Sequence, residues 1–90
     1  MTNVFTKDPD AVLDYQFDWS VWLASGETIT TAVIDVPTGL VLDSQDDTDT
    51  TITAWLSGGT VDEGYQVTCH ITTSAGREDD RSIYIACRER

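Results

Sequence analysis

The stretch Leu56-Ser57-Gly58-Gly59-Thr60-Val61-Asp62-Glu63-Gly64-Tyr65-Gln66-Val67-Thr68-Cys69-His70-Ile71 holds the end of one strand, a loop and most of the next strand. From Tyr65 onward, apolar and polar residues alternate. Tyr65, Val67, Cys69 and Ile71 fall on one side, and Gln66, Thr68, His70 and Thr72 on the other. Successive strand side chains point to opposite faces, so this alternation predicts a half-buried β-strand. Ser57-Gly58-Gly59 stops the preceding strand, and the Gly64-Tyr65 step marks where the next begins. A tyrosine placed there can lay its ring over the loop it has just left, with its hydroxyl bonded to a backbone group a few residues upstream. An inward Tyr on a plain strand gives the same pattern, so both readings stand at this point.

Working outward, the same period recurs. Leu13, Tyr15, Phe17 and Trp19 alternate with Asp14, Gln16, Asp18 and Ser20, after a turn at Asp8-Pro9-Asp10. Ser25-Gly26-Glu27 is a turn, and Thr28 to Val36 is a strand stopped by Pro37 and Gly39. Leu40 to Leu42 forms a short strand entering an acidic loop, Asp43 to Asp49, and Thr50 to Leu56 alternates again. The turn Ser74-Ala75-Gly76-Arg77 leads to a last strand with Ile83, Ile85 and Cys87 on one face. Fourteen threonines supply β-branched positions, and no apolar stripe at helical spacing runs for three turns.

Six or seven short strands at about ten-residue spacing predict a sandwich or barrel. The Gly64-Tyr65 step is how immunoglobulin-like sandwiches write their tyrosine corner. The expected fold is therefore all-β: a small immunoglobulin-like or fibronectin-III-like antiparallel sandwich. It forms one domain over residues 1–90, with residues 1–10 as an extended N-terminal arm.

A chain of 90 residues buries only about 60–65% of its unfolded surface, which leaves a thin core and little room for a deep pocket. No apolar run approaches the roughly 18–20 residues of a membrane-spanning helix. The net charge of −11 argues against direct nucleic-acid binding. Residues 1–76 carry twelve acids and one base, Lys7, whereas residues 77–90 carry four acids and four arginines. This asymmetry fits a solvated acidic surface, or a basic C-terminal edge that meets the acidic body of a neighbouring copy. The N-terminus lacks the apolar core of a secretory signal, which points to synthesis in a cytosol, where two cysteines stay free thiols. If Gly76 centres the last hairpin, Cys69 faces Ile83 and Cys87 faces Tyr65, far beyond the ~7 Å a disulfide tolerates.

Chemistry-bearing patterns are sparse. Adjacent strand residues point apart, so Cys69 and His70 form no catalytic pair and His70 faces solvent. Asp43-Ser44-Gln45-Asp46-Asp47-Thr48-Asp49 offers four carboxylates but lacks the spacing of an EF-hand loop, and reads as a solvated loop rather than an ion site. No cofactor, metal set or catalytic residue is expected. Trp19 continues the Leu13/Tyr15/Phe17 face into the core, while Trp22 fits core or rim. Trp55 is out of phase with Ile52, Ala54 and Leu56 and so lies on the opposite face, either as a contact anchor or folded over a loop of its own domain. Trp55, Trp22, Arg81, Arg88 and Arg90 are the interface candidates.

Several pieces carry a resemblance: Lys7-Asp8-Pro9-Asp10, Asp18-Trp19-Ser20, Gly26-Glu27-Thr28-Ile29, Val36-Pro37-Thr38-Gly39-Leu40, Trp55-Leu56-Ser57-Gly58-Gly59 and Thr73-Ser74-Ala75-Gly76-Arg77. With them, nearly the whole chain resembles short proteins encoded among the virion genes of tailed bacteriophages, the fibre–tail adaptors. That resemblance implies a non-enzymatic virion protein made in the bacterial cytoplasm. Such a protein would occur in several copies or as a homo-oligomer and bind other virion proteins. Capsid decoration, or a free-standing immunoglobulin-like binding module, is the alternative.

Overall fold

The computed structural model describes residues 3–88. It contains seven strands: β1 (Asn3–Lys7), β2 (Leu13–Asp18), β3 (Ile29–Asp35), β4 (Leu40–Asp47), β5 (Thr51–Gly58), β6 (Gly64–Thr73) and β7 (Glu78–Cys87). They form two sheets, ordered β1-β7-β6-β3 and β2-β5-β4. The second sheet and the β3-β6-β7 set reproduce the constant-type immunoglobulin arrangement, except that the first strand pairs with the last. The chain is thus a small immunoglobulin-like β-sandwich.

The alternating residues meet between the sheets. Phe17 and Trp19 come from one side, with Ile52, Ala54 and Leu56 of β5; Val67, Cys69 and Ile71 of β6 face them, with Ile83, Ile85 and Cys87 of β7. Burying each large apolar side chain favours the fold by about 1.5–3 kcal/mol. The corner at Tyr65 is present: the Thr60 N–H donates to Tyr65 Oη at 3.0 Å. Gly39, at φ +108°, lies under the ring, where an added Cβ would sit 2.8 Å from Tyr65 Cε1.

Three details depart from the sequence reading. The expected N-terminal arm is, over Asn3–Lys7, an edge strand parallel to β7; Met1 and Thr2 lie outside the described residues. Phe5 packs edge-on against Tyr15 at 5.2 Å, and the buried Lys7 ammonium donates to Gly58 O at 2.7 Å and Asp8 O at 2.9 Å. The acidic loop is mostly strand: β4 runs to Asp47 because β5 offers a partner across an irregularity between Leu42 and Ser44. The last hairpin is two residues tighter than expected, with Tyr65 opposite Ile85 and Cys69 opposite Arg81. Ala75, not Gly76, is its centre, because Thr73 N–H donates to Arg77 O across a three-residue loop. Gly76, at φ +81°, takes the left-handed position that closes such a loop.

Candidate functional site

The outer face of β2-β5-β4 is built by the same alternation that fills the core. Ile52, Ala54 and Leu56 point inward, so Thr53, Trp55 and Ser57 point out. Trp55 is 36% exposed and has Asp14 of β2 opposite it on one side and Ser44 of β4 on the other. The shift between Leu42 and Ser44 sets both Asp43 and Ser44 on the exposed side, and Ser57 Oγ donates to Asp43 Oδ1 at 3.0 Å. Val41, opposite Ser57, is 52% exposed. Asp46, opposite Thr53, and Asp18, opposite Thr51, bring further acid to this face.

Trp22 and Arg81 belong elsewhere, at the end where the β2–β3 loop meets the β6–β7 turn. Arg77 lies 4.0 Å over the Trp22 ring, Trp22 meets Trp19 edge-on at 5.4 Å, and Arg81 lies 4.2 Å over Trp19. Each guanidinium is attracted by the negative face of the indole beneath it. Arg81 Nη1 also donates to Asp18 O at 2.6 Å, and Trp22 is half-buried against the core. Both side chains therefore brace this end of the sandwich. Arg88 stands 3.7 Å from Asp62, and Arg90 lies outside the described residues.

Glu27 anchors the same end. Its carboxylate accepts Arg77 Nε at 2.9 Å and Arg77 Nη2, together with the Thr73 hydroxyl and the Ala24 N–H at 2.9 Å. The hydrogen bonds from Arg77, then those from Thr73 and Ala24, hold its pKa at about 2. This pair escaped the sequence reading, because Glu27 sits in a polar turn fifty residues from Arg77 and no local spacing marks it.

His70 projects from the outer face of β6, as its alternation predicts, but it is not alone there. Nε2 meets Glu78 Oε1 at 2.9 Å and Nδ1 meets Asp80 Oδ1, both from β7. The hydrogen bonds to Glu78 and then Asp80 raise its pKa above the ordinary 6.5. Cys69 and Cys87 are buried free thiols, and burial pushes Cys69 up to about 11. A thiol so protonated is a poor nucleophile. Among the described residues, no group of three His, Cys, Asp or Glu side chains is arranged to hold a metal ion, and no pocket opens on the surface.

An immunoglobulin-like domain of this kind offers sheet faces and loop ends to other molecules. The chain belongs to the family described as podophage GP4 fiber-tail adaptor protein gp77, whose model matches residues 7–86. The match begins at the buried Lys7 and ends one residue before the last of β7, so it covers nearly the whole sandwich. No curated protein matches the chain. It is a member of a bacteriophage tail-adaptor family, in keeping with the resemblance of its sequence to virion structural proteins.

Proposed function

We propose that this chain is a non-enzymatic component of a tailed-phage particle that joins tail and fibre proteins by protein–protein contacts, in several copies per particle. The observation that carries the reading is the family match over residues 7–86. The side chains best suited to chemistry are engaged in the fold: His70 lies between two carboxylates and Cys69 is fully buried in the core. The docking surface in this reading is the β2-β5-β4 face, because Trp55 leaves a large apolar ring partly wet there, with Val41 exposed on the same face. Tryptophans so placed are frequent anchors of protein interfaces.

The reading is tested by replacing Trp55 with Ser in the phage genome and quantifying the chain in washed particles by mass spectrometry. Wild-type chain is expected in stoichiometric amount. The W55S chain is expected to be depleted at least tenfold, with the β-sheet circular dichroism of the purified protein unchanged. Wild-type chain found only in the soluble fraction of infected cells contradicts the adaptor role.

A further inference from the structure

We infer that the partner seated on the Trp55 face is a different polypeptide that presents arginine or lysine side chains around an apolar contact, and not a second copy of this chain. The inference rests on the adaptor reading and adds the chemistry of the partner. Two independent observations carry it.

The first is the charge of the face itself. Asp14, Asp43 and Asp46 lie about Trp55 and Val41 on the outer side of β2-β5-β4, with Asp18 farther along β2 opposite Thr51. Arg81 meets this face only at its Asp18 end, where the guanidinium lies on Trp19, donates to the Asp18 carbonyl and adds its charge to the Ser20 hydrogen bonds that lower the Asp18 pKa. An acidic rim around an exposed indole complements a basic rim around an apolar notch, with the charges steering encounter and the ring anchoring the contact.

The second is where the positive charge has gone. Lys7 is buried on two carbonyl oxygens, Arg77 is held by Glu27, Arg81 covers Trp19, and His70 is held by Glu78 and Asp80. Arg88 is the most exposed arginine described, and it stands beside Asp62. A second copy therefore brings acid rather than base to the Trp55 face, on a chain whose net charge is −11. Like charges set against each other oppose association, so complementarity selects a different chain. Copies within one particle are then held in place by the partner and not by one another.

The test introduces Ser44→p-benzoylphenylalanine, an exposed position directly opposite Trp55, into the phage-encoded chain and irradiates intact particles. The attached peptide is expected to come from another virion protein and to carry at least two Arg or Lys near the attachment point. In parallel, the double variant Asp14→Lys/Asp46→Lys is expected to enter particles at least tenfold less than wild type. Asp35→Lys, an exposed position on the other sheet, is expected to enter normally. Asp14→Asn/Asp46→Asn, which adds no charge, is expected to fall between them and guards against misfolding of the reversed variant.

Cross-linking to this chain's own peptides, to a peptide without basic residues, or to nothing in particles that contain the variant overturns the inference. So does normal incorporation of the charge-reversed chain. Any of these results leaves the adaptor role intact provided the wild-type chain is in the particle. Its absence from the particle defeats the adaptor role, and this inference with it.

Discussion

The Glu27 carboxylate and the Arg77 guanidinium join the β2–β3 loop to the β6–β7 turn in a two-pronged pair, with the Thr73 hydroxyl on the same carboxylate. Folding holds the Glu27 pKa at about 2 against an ordinary 4.5. A lowered carboxylate pKa stabilises the fold above the unfolded value, and that contribution is lost as pH falls through the folded one. The thermal midpoint should therefore drop as pH falls from about 4.5 toward 2. Glu27→Gln should have a lower midpoint at pH 7 and a flatter profile across that window. Equal slopes for the two proteins in thermal melts would contradict this account of the pair.

His70 works in the opposite sense. Both ring nitrogens meet carboxylates, so the bonded form is the imidazolium, and its pKa is raised by Glu78 first and Asp80 second. A raised pKa stabilises the fold below the unfolded value of 6.5, and the effect is lost as pH rises through the folded value. His70 is the only histidine, so its ring protons give a single NMR titration. The midpoint should lie above 6.5 and move down in Glu78→Gln and, by less, in Asp80→Asn. The groups are largely exposed, so added salt should shrink the shift. A midpoint at or below 6.5 would contradict the clamp.

At the tyrosine corner, Tyr65→Phe removes the acceptor for the Thr60 N–H and should destabilise the domain by about 0.5–1.5 kcal/mol. Gly39→Ala should cost more, because it sets a Cβ 2.8 Å from the Tyr65 ring at a φ of +108° that alanine resists. Urea denaturation of both variants gives the order directly.

Lys7→Met keeps the apolar stem but leaves the Gly58 and Asp8 carbonyls without their ammonium donor. The loss should be about 1–3 kcal/mol in the same urea experiment, larger than for a typical surface lysine. It should also loosen β1, whose last residue is Lys7, and speed amide exchange there. Unchanged stability would show that those carbonyls find water instead.

What could be read beforehand followed from side-chain period. Tyr15, Phe17 and Trp19, the inward side of β5, and the Tyr65–Ile71 run all entered the core as their alternation required, and Trp55 came out on the opposite face by the same rule. Features that depend on pairing were not legible. Val4-Phe5-Thr6 is too short to show a period, so β1 read as an arm until β7 stood beside it. The acids from Asp43 to Asp47 look like a loop by composition, yet β5 supplies a ladder that overrides weak strand propensity. The hairpin register turned on whether Ala75 or Gly76 is the centre, a choice of left-handed position rather than of residue type. Arg81 stands among the interface candidates by its charge, and its contacts with Trp19 and with the Asp18 carbonyl, sixty-three residues away in the chain, leave no mark in local sequence.

The most direct test of the central claim is a cryo-electron microscopy reconstruction of the intact particle that encodes this chain. The adaptor account predicts several symmetry-related copies of a sandwich with Cα extents of 42 × 25 × 19 Å where the fibres meet the tail. Each should have its β2-β5-β4 face against a neighbouring protein. A map that places the sandwich on the capsid surface, or accounts for every tail and fibre density without it, would contradict that account.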